Sequence, residues 1–245
     1  MNSVPGLVTL HVWRTPRRAL PRALMRMARD PRRLRALPGV RFGKLLGTGT
    51  GTGFGPGDAD LTRWAALVAW DDPRHADGFA AGPVGQAWGR IATGAARLDL
   101  RPVSSRGQWS GVHPFGDPAG GRTQGPVLAL TRARLRPARA VTFWRAVPPV
   151  AAALRTAPGL LARFGVGEAP IGWQGTVSVW RESADLMDFA YRRPEHRDAI
   201  MQTPVRRWYA EELFARFEIG DVTGDRSVLG WHPDEKDPTV KDSTA

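Results

Sequence analysis

The chain has 245 residues, 42% of them hydrophobic, a formal net charge of +12 and no cysteine. That length suits one large domain or two fused small ones. Without cysteine there are no disulfides, no Cys-ligated zinc or iron–sulfur cluster and no thiolate-ligated haem. No apolar run approaches the roughly 20 residues needed to span a bilayer. The N-terminus, M-N-S-V-P-G-L-V-T-L-H-V-W-R, has no cationic segment before its short apolar run, so no signal peptide is expected. These features predict a cytoplasmic protein, with peripheral contact at the inner membrane left open.

Val8 to Arg14 is short, β-branched and aromatic and predicts a strand. Residues 16–37 carry a basic helical pattern interrupted by Pro21 and Pro31 and closed by P-G at 38–39. Within it, Arg17, Arg18, Arg22, Arg26, Arg29, Arg32, Arg33 and Arg35 interleave with Leu20, Leu24, Met25, Met27 and Leu34. A solvated helix face is the plain reading of Arg14 to Arg35, and contact with an anionic membrane surface is the functional one. Nucleic acid is not expected as a partner. The positive charge is almost all arginine, the lysines being Lys44, Lys236 and Lys241, which points to coding bias rather than phosphate binding.

Val40 to Leu46 predicts the next strand, running into G-T-G-T-G-T-G-F-G-P-G at 47–57. That run lacks G-K-[ST] and has no helix directly after it, so it reads as a flexible loop rather than a phosphate cradle. Leu61 to Trp70 is a buried strand. Asp71 to Thr93 carries Phe79, Val84, Trp88 and Ile91, broken by Gly82 and Pro83, and Ala96 to Val103 is a further strand. It leads into S-S-R-G-Q-W-S-G at 104–111, where Arg106, Trp109, Ser105 and Ser110 could hold a polar group or build a structural turn.

Residues 113–126 are rich in Pro and Gly and predict a linker between halves spanning 1–112 and 127–231. The pattern then starts over. Val127 to Leu135 is a strand, Arg139 to Leu154 a helix, Leu160 to Val166 and Gly175 to Trp180 strands. L-P-G-V-R-F-G-K-L-L-G at 37–47 parallels A-P-G-L-L-A-R-F-G-V-G at 157–167, and W-A-A-L-V-A-W at 64–70 parallels G-T-V-S-V-W at 175–180. Each leads to a helix, with Phe79 in one half and Phe189 in the other. The expected fold class is α+β, two duplicated ferredoxin-like (βαββαβ) halves whose sheets pack face to face as a sandwich around an apolar pocket.

Ser183 to Phe217 carries the most chemistry. Ser183 is a plausible N-cap, Asp185 suits the first turn, and Pro194 ends or restarts the helix. His196 follows with Ala199 and Ile200 on its face, and Ala210, Leu213, Phe214 and Phe217 repeat helical spacing before a closing strand at Glu218 to Val222. A histidine on the apolar side of a helix is the best candidate for an iron ligand here, although such a residue is more often structural. His11, His75, His113 and His232 are scattered, and 232–245 is a polar tail expected to be disordered.

K-L-L-G-T-G-T-G-T-G-F at 44–54, R-P-V-S-S-R-G-Q-W-S-G at 101–111 and H-R-D-A-I…R-W-Y-A-E-E-L-F-A-R-F at 196–217 resemble the spheroidene monooxygenase family of carotenoid biosynthesis. The resemblance runs from about residue 8 to 231. It implies a dimeric α/β-barrel type of fold and a haem protein that oxygenates acyclic carotenoids at C-2 with O2 and reduced ferredoxin. It further implies His196 as proximal iron ligand, with Arg106, Trp109 or Ser110 as donors to bound oxygen. Trp64, Trp70, Phe164, Trp173 and Phe189 could line a tunnel for a hydrophobic substrate or form ordinary core. Two alternatives are a non-catalytic binder of haem or a hydrophobic ligand, and a cofactor-independent monooxygenase.

Overall fold

The computed structural model describes residues 2–51, 56–121, 123–168, 173–192 and 208–231. Eight strands carry the fold: β1 (Leu7–Arg14), β2 (Val40–Gly49), β3 (Ala59–Trp70), β4 (Gly94–Gly107), β5 (Val127–Leu135), β6 (Leu160–Gly167), β7 (Trp173–Trp180) and β8 (Tyr209–Gly224). Among the described residues, five helices join them: α1 (Leu20–Arg35), α2 (Pro73–Asp77), α3 (Pro83–Gly89), α4 (Ala140–Arg155) and α5 (Ser183–Arg192). All pairings are antiparallel, and the strands close into one barrel in the order β1-β3-β2-β6-β7-β5-β8-β4.

Closure agrees with the barrel type that the resemblance implied and corrects the expected face-to-face stacking of two sheets. The two four-stranded halves join at both edges instead of stacking face to face. One seam is long, β4 against β8 from Ala96↔Gly224 to Gly107↔Leu213; the other is short, β2 against β6 from Gly47↔Gly167 to Gly49↔Gly165. A closed barrel leaves no free edge to protect.

Period-two alternation sets the two faces. Val8, Leu10 and Val12 of β1 meet Leu67 of β3, Leu98 of β4, Leu130 of β5, Val177 of β7 and Phe217 of β8 inside the barrel. The intervening residues face outward under the helices. Trp13, Trp64, Trp70 and Trp88 pack with Leu34 and Phe79 beneath α1–α3, and Trp180 packs with Phe189 beneath α5. The proposed tunnel residues are therefore split: Trp64, Trp70 and Phe189 lie outside the barrel wall and Phe164 inside it. The Trp173 side chain lies outside the described set.

His11 occupies the outer layer. It stacks on Phe79 at 4.0 Å, and its Nε2 lies 3.0 Å from Thr9 Oγ1. Burial, reinforced by the Arg97 charge, lowers its pKa to about 3, so the ring is neutral.

The repeated sequence segments occupy matching places. Gly39 and Gly159 both take the left-handed conformation, φ 72° and 75°, and each carbonyl accepts from the residue following the tryptophan of a neighbouring strand, Asp71 N at 2.9 Å and Arg181 N at 2.8 Å. Only glycine takes such a φ without strain. Both segments then bulge, between Val40 and Phe42 and between Leu160 and Ala162.

Two local expectations change. Pro31 lies inside α1 without ending it, the helix continuing to Arg35. The segment read as helical at Ala210 to Phe217 belongs to β8, which begins at Tyr209. Leu213, Ala215, Phe217 and Ile219 alternate into the barrel, and pairing with β4 on one side and β5 on the other overrides the weaker helical spacing. The described residues of the 113–126 segment form no strand or helix, yet the segment is anchored by Phe115, fully buried edge-to-face on Phe217 at 4.9 Å.

Candidate functional site

Alternation also brings charge to the inner face at one end of the barrel. Lys44 is two residues beyond Phe42 on β2, Arg132 two beyond Leu130 on β5, and Glu211 two before Leu213 on β8. Glu168 is two beyond Val166, just past the end of β6. Trp109 covers this group from the turn that follows β4, and it is fully buried.

The turn is specified by sequence. At Gly107, φ is 92° and a Cβ would run into the Glu212 carbonyl, so glycine alone fits. Gln108 N then donates to Glu212 O at 2.7 Å and Trp109 N to Val112 O at 2.9 Å. Ser110 holds φ 56°, the one positive value at a non-glycine among the described residues, and Gly111 follows at 74°. Their backbone is held from below, since Gly111 N donates to Glu211 Oε1 at 2.8 Å.

Glu168 is the centre of the group. Its carboxylate accepts from Lys44 Nζ at 2.6 Å, Trp109 Nε1 at 2.6 Å and Arg132 Nη2 at 2.8 Å. Arg132, 3% exposed, uses its other terminal nitrogen to pair with Glu211. Its guanidinium also lies 5.3 Å from the Trp109 ring centroid, and Lys44 Nζ lies 5.6 Å from that of Phe42. Lys44 further donates to Ser110 Oγ at 2.7 Å.

Two cations and two carboxylates thus balance in a partly buried layer. Burial pushes the Glu168 carboxyl upward, but hydrogen bonds from Lys44 and Trp109 and the charges of Lys44 and Arg132 outweigh it, leaving the pKa below the ordinary glutamate value. Glu211 is shifted the same way: burial raises it, and the Gly111 and Ser110 amides and Arg132 lower it further. Both acids are held ionised.

The structure brings two of the predicted site residues, Trp109 and Ser110, into this layer. Arg106 does not join them; it is exposed, with its guanidinium 5.2 Å from the Phe214 ring on the barrel's outer side. His196 lies outside the described residues. Lys44, Arg132, Glu168 and Glu211 were missed by sequence reasoning. The available signal was a charged residue at an inward position of an alternating apolar strand, as in F-G-K-L-L and L-A-L-T-R.

The opposite end of the barrel is built differently. Arg63 of β3, 6% exposed, donates to Gly49 O at 2.9 Å and lies 4.8 Å from the Phe164 ring centroid. Asp60 is its carboxylate neighbour at 3.5 Å and is shared with Arg14 at 3.1 Å. A 3-10 turn at Arg226–Leu229 and the following Trp231 add Val228, Leu229 and the indole to the interior cluster.

No family model matches the chain. Spheroidene monooxygenase of Rhodobacter capsulatus is 37% identical to it over 221 residues, covering 88% of this chain and 89% of that protein. The chain belongs to the spheroidene monooxygenase family. It is a monooxygenase, an oxidoreductase. The spheroidene monooxygenase of Rubrivivax gelatinosus is 39% identical over 189 residues, covering 76% of this chain and 72% of that one. Among solved structures, aldoxime dehydratase covers 88% of this chain with 81% of its own length at 13% identity and a TM-score of 0.55. A butyraldoxime complex of an aldoxime dehydratase gives 12% identity, 88% and 79% coverage, and a TM-score of 0.57. These two likenesses speak to the shared fold alone.

Proposed function

We propose that this family member is a haem-dependent monooxygenase that oxygenates an acyclic carotenoid of the spheroidene type at C-2. The observation that carries the reading is the 37% identity to a spheroidene monooxygenase along almost the whole of both chains. One oxygen atom of O2 enters the substrate and the other leaves as water, with two electrons from reduced ferredoxin and two protons from solvent. The location is cytoplasmic. The architecture is a duplicated ferredoxin-like unit of the dimeric α/β-barrel type, supported by the strand order repeated in the two halves and by the matching bulges.

His196 is the proposed iron ligand. The described histidines suit that role poorly: His11 is clamped by Thr9 and Phe79, and His75 and His113 are exposed. The chain that leaves α5 toward His196 re-enters the described structure at Trp208, in an aromatic group with Phe143 and Tyr209. Trp144 packs against the same group, and among the described residues its buried indole Nε1 has no hydrogen-bond partner. A buried donor left without an acceptor costs about 1–3 kcal/mol, and a polar edge of a bound cofactor would remove that cost. Apolar walls and a buried N–H donor suit the edge of a haem, and His196, in the stretch between α5 and Trp208, would be the residue to supply its imidazole. Bound haem would supply oxygen activation; the protein's own residues bind, orient and exclude water.

Among the proposed oxygen-side donors, Trp109 already gives its N–H to Glu168. Ser110 accepts from Lys44 and keeps its own hydroxyl proton to donate. Ser110 is therefore the direct donor, Trp109 and Lys44 position it, and Arg106 serves the site only from the outer face. Incubation of the purified protein with an acyclic carotenoid, reduced ferredoxin and isotopically labelled O2 tests the reading. It predicts one labelled oxygen in the product. Unlabelled product, or none from haem-loaded protein, contradicts it; labelled product from haem-free protein transfers the activity to a cofactor-independent mechanism.

A further inference from the structure

Helix α1 presents a face that nothing in the barrel uses. Ala23, Asp30 and Leu34 point inward and are fully buried. The outward side exposes Arg22, Arg29, Arg32 and Arg35, and the turn just before the helix exposes Arg17 and Arg18. The helix has one acidic residue, Asp30, and it is 0% exposed and engaged by Arg33 at 3.2 Å and Arg26 at 3.9 Å. Among the described residues, none of the six exposed arginines just named forms an ion pair. Their positive field is therefore uncancelled.

Two apolar side chains stand in this cationic surface. Leu24 is 52% and Met25 38% exposed, neighbours in sequence and projecting between the arginines. Exposed apolar groups surrounded by cations would be a waste of burial in a purely solvated helix. They suit a helix lying in the plane of an anionic membrane, where arginines meet lipid phosphates and the apolar pair enters the acyl boundary. Duplex nucleic acid would use the arginines but would leave Leu24 and Met25 without a role.

We infer that the outer face of α1 docks the protein on an anionic lipid bilayer, through its arginines and an inserted Leu24–Met25 pair. The purpose, access to a lipophilic substrate dissolved in that bilayer, rests on the function proposed above; the docking itself does not.

The full-length protein is mixed with vesicles of phosphatidylcholine alone or with added phosphatidylglycerol, and the bound fraction is read by sedimentation. Binding is expected only with phosphatidylglycerol and should weaken with salt. The triple variant R22Q/R29Q/R32Q, on exposed positions, should lose roughly a hundredfold in partitioning, from about fivefold per cation removed near the surface. The double variant L24S/M25S keeps every charge and should also lose binding at physiological salt, while its circular dichroism and thermal midpoint match those of the parent. No binding to the anionic vesicles, or equal binding to both compositions, overturns the inference. So does binding unaffected by L24S/M25S, or displacement of the vesicles by duplex DNA. Because vesicle binding needs neither haem nor substrate, its failure leaves the oxygenase reading untouched.

Discussion

At the end of the barrel that carries Glu168, four charges contributed by β2, β5, β8 and the end of β6 are tied to one another: Lys44 and Arg132 each meet Glu168, and Arg132 also meets Glu211. At the opposite end Arg63 leans on an aromatic ring and a backbone carbonyl, and Asp60 takes its strongest contacts from Thr62 and Arg14 at the rim. The first is a network joining the two halves of the chain, since Lys44 and Trp109 come from the first half while Arg132, Glu168 and Glu211 come from the second. The second takes its polar contacts from the first half, Arg14, Gly49, Asp60, Thr62 and Arg63, and only apolar ones such as Phe164 from the second. A network that crosses halves makes the position of Trp109 and Ser110 depend on both of them; at the Arg63 end the ion pairs stay within the first half, and the second half contributes apolar contacts such as the Phe164 ring.

Removing the central cation breaks the comparison most sharply. Arg132→Met leaves Glu168 and Glu211 facing each other in a partly buried layer and should cost about 3 kcal/mol, read by denaturant unfolding. Arg63→Met should cost about 1 kcal/mol, because Asp60 retains Arg14 and Thr62. Equal losses at the two ends would show that the cross-half network has no special role.

The turn that supports the network comes next. Gly107→Ala forces a side chain into the Glu212 carbonyl at a positive φ and should cost about 2 kcal/mol. Near-ultraviolet circular dichroism should change with it as Trp109 shifts.

Acid separates the ends from the outer helix layer. His11 is neutral in the fold with a pKa of about 3, against 6.5 for a free imidazole. The unfolded chain therefore binds the extra proton first as pH falls, and stability declines from the free value downward until the folded value is reached. The decline should be about 2 kcal/mol between pH 7 and pH 5, and His11→Gln should remove it. Glu168 and Glu211 act in a lower window. Their folded pKa values lie below 4.5, so their contribution is complete above that pH and is lost as pH falls through the folded values. Glu168→Gln should flatten that acid limb without touching the His11 one. The smallest effect is on cofactor retention: Trp144→Phe keeps an aromatic ring but deletes the N–H donor, and should speed haem loss severalfold with little change in global stability.

Much of the fold was legible in the sequence because it repeats. The P-G turns before β2 and β6 and the tryptophans that end β3 and β7 occur at matching places, and each copy corroborates the other. Barrel closure was not legible, since it depends on three residue pairs at the β2–β6 seam among glycines with no side-chain signal. The helical reading of 210–217 failed because Leu213 and Phe217, four residues apart, satisfy both periods, and the choice was made by two neighbouring strands distant in sequence. In the site, Trp109 and Ser110 stood out as a polar turn, whereas Glu168 and Arg132 acquire meaning only when strands far apart in the chain place them within 2.8 Å.

The central claim is a haem held by His196. The absorption spectrum of the protein, purified from cells supplied with a haem precursor, should be recorded beside that of His196→Ala. The account predicts a Soret band that the variant loses while its far-ultraviolet circular dichroism is retained. A Soret band of equal strength in both proteins, or none in either, would contradict it.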